Sequence, residues 1–320
     1  MKEVTFIRRN IEKWRFYEGV AEAVRTAQID VVADAYIDVT SDLSFAQTHY
    51  PQSRITLYLN NLASALHNEI YRNKRERWSR LVTFWTREVP LTMWEGRREL
   101  WLSALIFVVS VAVGILSQWH DADFSRLILG NDYVEMTLDN IARGEPMGVY
   151  GTHSEGSMFA SITMNNVYVA FVIFAAGLLT SLGTGWFLFQ NGVMLGSFQT
   201  FFLQQGLLGE SMLAVWLHGT LEISAIIVAG AGGLALGNGL LFPGTYSRGY
   251  AFRRGAKRGL KIVIGTVPIF FVAGFIESFM TRHTEWLDAL RLAIILGSLS
   301  FVIYYYIILP YKRHHGIRET

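Results

Sequence analysis

The chain has 320 residues, 51% hydrophobic and only 17% charged, against about a quarter charged in soluble domains. That balance excludes an ordinary water-soluble globule and marks an integral membrane protein carrying some polar mass. Cysteine is absent, which rules out a disulfide frame, a thiolate nucleophile and a cysteine-based metal site, and the net charge of +2 means little until the charges are placed along the chain.

Residues 1–97 read as a water-facing helical domain. Trp14, Tyr17, Val20 and Val24 form one stripe at helical spacing, and Val32, Tyr36, Val39, Leu43 and Ala46 form a second. Ile55, Leu59, Leu62, Leu66 and Ile70 form a third, opened by Pro51, which suits a first helical turn. The stretch RNKRERWSRLVTFWTREVPLTMWEGRREL (72–100) mixes Arg and Lys with Trp78, Trp85 and Trp94, a composition suited to the headgroup interface, and Pro90 is expected to break it into an elbow. No signal peptide precedes the first apolar run, so the first spanning helix is read as the targeting element.

Apolar runs follow at about 99–118, 166–189, 190–207, 212–241, 261–280 and 288–309. Crossing ~30 Å of hydrocarbon takes about 20 residues, so each qualifies within a transmembrane domain spanning 98–310. The third run, with Gln199, Gln204 and Gln205, either crosses or re-enters. Charge placement decides between the two. Arg97 and Arg98 precede the first span, while the loop 119–164 is strongly acidic (Asp121, Asp123, Asp132, Glu135, Asp139, Glu145 and Glu155) and reads as external. The loop 242–260 carries Arg248, Arg253, Arg254, Lys257 and Arg258, and the tail 311–320 carries Lys312, Arg313 and Arg318, so both read as cytoplasmic. Only a crossing third run puts the basic loop inside. The expected fold is therefore an all-α polytopic membrane helix bundle of about six spans with an N-terminal helical cytoplasmic domain, set in the bacterial cytoplasmic membrane with both termini cytoplasmic.

Within the spans, Gly192 and Gly196 stand four residues apart, as do Gly233 and Gly237, with Gly230 nearby. Small residues at that spacing let helices approach closely in lipid, within one subunit or across a homodimer. His218 and Glu222 sit one turn apart on one face of the fourth run, although an ionisable group at that depth costs roughly 2.5–3.5 kcal/mol on insertion scales. At ~1.5 Å per residue, His218 lies ~9 Å and Glu222 ~15 Å from the external end. Glu277 of the fifth run returns to His218's height, where Asn165 and Asn166 open the second run. Gln190 and Asn191 are expected at the opposite, cytoplasmic end, in the turn between the second and third runs.

The cluster His218, Glu222, Glu277, Asn165 and Asn166 admits several readings. It can be a hydrogen-bonded network that fixes helix register, a polar cavity for an ion, proton or small solute, or a docking surface for a partner helix. It can also be a metal site in which HxxxE supplies two ligands and Glu277 a third, as a metal-dependent hydrolase would need, although no second histidine lies in the spans. The first reading needs no cofactor and no metal. The sequence contains no phosphate-binding loop, dinucleotide glycine pattern, serine elbow or nucleic-acid module.

The segments SDLSFAQTHYP, YLNNLASALHNEIY, MNNVYVAFVIFAAGLLTSLGTG, FQNGVMLG, HGTLEISAIIVAGAGGLALG, LLFPGTYSRG and VAGFIESF, in that order, resemble the stage II sporulation protein M family of bacterial membrane proteins. The family pattern falls on Asn165, Asn166, Asn191, His218, Glu222 and Glu277, and adds Gly177 to the packing glycines. The resemblance implies a non-enzymatic, envelope-associated scaffold or assembly factor. Its implied partners are peptidoglycan-remodelling proteins, a MoxR-type ATPase or an RDD-type membrane protein.

Overall fold

The computed structural model describes residues 2–22, 29–71, 78–146, 148, 155–281 and 287–316. Val24, Arg318 and the side chains of Ile70, Trp78 and Glu155 lie outside the described residues. Among the described residues the chain is helical with no strand, and it divides into two compact units, Met1–Arg80 and Leu81–Thr320.

The first unit holds α1 (Glu3–Glu22), α2 (Ile29–His49) and α3 (Arg54–Tyr71). The three apolar stripes pack on one another around a fully buried Trp14, with Phe6, Val39, Leu59 and Leu66 beside it. Burying an indole obliges its N–H to find an acceptor. Trp14 Nε1 donates to Asp42 Oδ2 at 2.8 Å, and Lys13 Nζ meets the same oxygen at 2.7 Å. Pro51 sits in the turn before α3 rather than in its first helical turn, and Ser53 caps the helix by accepting the Ile55 amide at 3.2 Å.

The division falls within α4 (Trp78–Thr83), which runs through a widened π turn, Phe84–Glu88, into α5 (Val89–Glu95) of the second unit. Pro90 does not form the expected elbow. The π turn closes by the Val89 amide bonding Phe84 O, the proline falls in the first turn of α5, and the chain bends instead at Gly96. Residues 81–97 belong to the membrane unit, not to the N-terminal domain: Val89 and Met93 are buried in its core, and Lys261 Nζ holds Glu88 at 2.6 Å.

Then follow α6 (Arg97–His120), α7 (Phe124–Leu129), α8 (Asn131–Ala142), α9 (Glu155–Ala175), a single 3-10 turn (Ala176–Leu179), α10 (Thr180–Gln204), α11 (Leu208–Leu241) and α12 (Arg248–Phe275). A second π turn (Ile276–Met280), α13 (Asp288–Ile303), a third (Tyr304–Ile308) and α14 (Leu309–Gly316) complete the chain. Among the described residues five helical stretches are long and apolar enough to cross a bilayer, and the second of them, Gly156–Gln204, is 49 residues long. It does not run straight: Thr184 Oγ1 donates to Ile173 O at 3.0 Å, a contact across 11 residues that only a chain reversal permits. That stretch therefore contributes two traversals, which makes six among the described residues.

The reversal corrects the expected span boundaries. The turn lies at 176–180, where Thr180 adopts φ +68° and ψ 178°, not at 189/190. The second and third traversals are α9 and α10, and the third crosses fully. Of its glutamines, Gln204 is satisfied at the far end, where Gln118 Nε2 donates to Gln204 Oε1 at 3.0 Å and Gln204 Nε2 to Gln118 O at 3.0 Å. Among its described residues the acidic segment between α6 and α9 is largely helical, and Val134 of α8 packs into a cluster with Phe201, Phe202 and Ala214.

Helix pairing puts the charges on two opposite ends. Phe107 faces Gly192 and Gln118 meets Gln204, so α6 and α10 run parallel, whereas Gly232 opposite Gly259 and Gly239 opposite Ala251 make α11 and α12 antiparallel. Arg97, Arg98, Arg248, Arg253, Arg254, Lys312 and Arg313 then share one end, and Asp121, Asp132, Glu135, Asp139, Glu210 and Asp288 share the other. Between these ends the outer surface is apolar: Leu105, Val109 and Leu116 of α6 and Leu292, Leu296 and Leu299 of α13 are exposed. Such an exterior is stable only in hydrocarbon.

The packing glycines are consumed inside the subunit. A Cβ on Gly192 would stand 2.8 Å from Phe107 O, one on Gly230 2.7 Å from Leu188 Cδ2, and one on Gly237 2.7 Å from the Thr180 carbonyl carbon. Gly177 and Gly233 press against each other, and Gly196 against Val111.

Candidate functional site

At the basic end, α9 and α10 are pinned by their turn and by the glycine contacts with α11. Toward the acidic end they diverge, and a cleft of about 860 Å³ opens between them. Val169 and Val172 of α9 form one wall, and Phe187, Asn191, Leu195 and Phe198 of α10 form the other. His218, Glu222, Ile223 and Ile226 of α11 make the floor, while Leu129 of α7 and Tyr133 of α8 reach over the top. Burial pushes the Tyr133 phenol above its ordinary value, against a smaller opposing contribution from Thr137.

The polar floor is assembled from three elements. His218 is only 4% exposed, with Nδ1 3.2 Å from Thr281 Oγ1 and Nε2 3.7 Å from Glu277 Oε1. Glu277 sits in the second π turn, which closes by the Thr281 amide bonding Ile276 O at 3.0 Å. Wide turns of this kind recur at functional sites because they re-aim side chains. Here the turn brings Glu277 beside Glu222, one oxygen of each within 4.8 Å of the other. From α9, Asn166 Nδ2 donates to Glu222 Oε1. One ligand-type atom from each of His218, Glu222 and Glu277 lies within 4.8 Å of the others.

His218, Glu222, Glu277 and Asn166 are thus brought together. Asn165 is not part of the contact set: it is exposed, on the wall of the cleft. Gln190 and Asn191 are not at the cytoplasmic end, because the turn lies ten residues earlier than expected. Both occupy the middle of α10, where Asn191 lines the cleft and bonds Phe187 O at 2.8 Å, and Gln190 is exposed in a smaller side groove with Trp186 and Phe189. Thr281 was missed by the sequence reading. Its signal was present, since it follows Glu277 by four residues and so returns to the same face.

Six apolar traversals around a recessed, partly ionisable cluster define a polytopic membrane protein with a built site in one half of its bundle. Residues 103–282 match the family described as Stage II sporulation protein M, a match that runs from α6 through the second π turn and covers more than half of the chain. The chain belongs to that family. Residues 4–72, the three N-terminal helices, match a family described as Domain of unknown function (DUF8413). No curated protein and no solved structure matches the chain.

Proposed function

We propose that the chain is a non-enzymatic protein of the bacterial cytoplasmic membrane, both termini cytoplasmic, whose cleft takes up an amphiphilic small solute from the external half of the bilayer. The observation that carries this reading is the cleft itself: about 860 Å³ of space with aromatic and aliphatic walls and a floor of His218 and Glu222. Binding sites for small molecules have that make-up, mostly apolar with a few convergent polar groups. The orientation rests on the basic end, which the positive-inside rule assigns to the cytoplasm.

A chain with no cysteine gives a direct test. A cysteine at Leu195, inside the cleft, should react with a membrane-impermeant methanethiosulfonate applied outside intact cells, and one at Ser247 should not. A cysteine at Ile173, fully buried behind the cleft, should react slowly. Equal rates at 195 and 173 would remove the reading, and labelling at 247 would invert the orientation.

A second reading, an envelope scaffold that localises peptidoglycan-remodelling proteins, a MoxR-type ATPase or an RDD-type membrane protein, is supported by a different feature. The N-terminal unit leaves Phe16, Ile37 and Leu57 more than 60% exposed, which is unusual for a small solvated bundle and fits a contact surface. A photo-reactive amino acid at Phe16 should then capture one of those proteins in cells, and capture of none would count against this role. Self-association as a homodimer would have to use a surface other than the glycine stripe.

A further inference from the structure

We infer that His218, Glu222 and Glu277 form a binding site for a divalent first-row transition cation, with its open positions turned toward the cleft. Three donors from two separate elements converge, each able to place one atom within 4.8 Å of the other two. Ligands held ~2.0–2.2 Å from a common Zn²⁺ stand roughly 3–4 Å from one another, so small side-chain rotations close the site. The 3.7 Å between His218 Nε2 and Glu277 Oε1 is already the spacing of two ligands on one ion, and too long for a good hydrogen bond.

The tautomer of His218 points the same way. Thr281 Oγ1 stands 3.3 Å from Ile276 O and 3.2 Å from His218 Nδ1; when its hydroxyl proton goes to that carbonyl, Nδ1 is the proton-bearing nitrogen that donates to it. Nε2 is then the basic nitrogen, and it is the one that faces the carboxylate. A ligating histidine whose other nitrogen donates to a protein oxygen is the usual arrangement at metal centres. Two carboxyl groups and an imidazole converge here, a set of electron-pair donors that a bound cation would hold together in place of a shared proton. Asn166 fixes the Glu222 oxygen from outside the triangle, the role of a supporting group. One imidazole and two carboxylates, without sulfur, suit Zn²⁺ or Mn²⁺ and disfavour Cu⁺. Because His218 and Glu222 line the cleft, the remaining coordination positions have room and an access route.

The experiment uses the full chain, purified in dodecyl maltoside through a tag without histidine, stripped with chelator, and titrated with Zn²⁺ by equilibrium dialysis and with Mn²⁺ by electron paramagnetic resonance. One ion per chain is expected. Glu277→Gln and His218→Ala should each weaken uptake by more than tenfold, and Thr281→Val, which only positions the imidazole, by about tenfold. Alanine at both His314 and His315 in the tail should leave the stoichiometry unchanged. No saturable uptake by the wild-type chain would overturn the site, whatever the variants do. Uptake undiminished in well-folded Glu277→Gln and His218→Ala would overturn it as well. The inference does not rest on solute entry, because cysteine accessibility and ion binding can fail independently.

Discussion

Gly233→Ala examines whether close glycine packing holds α9, α10 and α11 together. A methyl group there would stand 2.7 Å from Ile173 O and 2.9 Å from Thr184 Cγ2, and closer still to Thr184 Oγ1. The first neighbour is backbone and cannot swing aside without moving α9. Overpacking of this kind costs about 1–3 kcal/mol. The Thr184 hydroxyl is also the donor that bonds Ile173 O across the hairpin, and losing that bond adds about 1 kcal/mol. Alanine returns up to about 1 kcal/mol of helix propensity. The expected net loss is therefore about 1–3 kcal/mol. Gly219→Ala in the same helix supplies the control, since its methyl would meet only side-chain atoms at 3.6 and 3.7 Å, ordinary contact. That variant should be neutral or up to about 1 kcal/mol more stable. Unfolding in mixed dodecyl maltoside and dodecyl sulfate micelles, followed by far-ultraviolet circular dichroism, measures both. If Gly233→Ala is as stable as Gly219→Ala, the glycine contacts do not hold the hairpin and the account of the fold fails.

Thr180, with φ +68° and ψ 178°, occupies backbone space that only glycine enters readily, so Thr180→Gly should gain about 1–3 kcal/mol in the same unfolding assay. The Arg258 guanidinium is paired with Glu99 where α12 meets α6, both side chains largely covered. Removing one partner of a fully buried pair costs roughly 3–5 kcal/mol; with partial water access, Arg258→Ala should lose about 2 kcal/mol and Glu99→Gln in the same chain should restore part of it. In the N-terminal unit the Tyr17 hydroxyl, donating at 2.8 Å, and then Lys13 hold Asp38 below the usual 3.8. A depressed folded value means that the stabilisation is present above 3.8 and lost as pH falls through the lower folded value. Hydrogen exchange of α1 peptides, corrected for intrinsic rate, should show extra opening in that acidic window, and Asp38→Asn should abolish the extra step.

The spans were legible because each signal has a direct cost behind it: charge is expelled from hydrocarbon, and a histidine and glutamate inside an apolar run must be stabilised by something. His218, Glu222 and Glu277 stood out on that ground alone. The turn at 176–180 was illegible for the converse reason. In AAGLLTSLG nothing is charged and no proline intervenes: Ala176 and Gly177 are buried, and Leu178, Leu179 and Leu182, though exposed, are apolar and carry no turn signal. The boundary therefore slid to the next polar pair, Gln190 and Asn191, which belong to the middle of α10. Pro90 misled in a related way, because a widened π turn just ahead of it absorbs the missing donor and the bend passes to Gly96.

The position of that turn also limits what the cleft can do. Near the basic end, Gly177, Gly233 and Gly237 bring α9, α10 and α11 into backbone contact, so the space that begins at Asn191 and Glu222 ends there. The bundle is thus split into a polar, open half and a small-residue, closed half by one reversal of the chain. A solute that entered could not pass onward unless the α9–α10 turn separated from α11, which would give up the contacts that Gly233→Ala disturbs. Binding and passage are therefore separable. Weakening the turn should leave occupancy of the cleft intact and alter only transit, whereas changes at Asn166 or Glu222 should alter occupancy first.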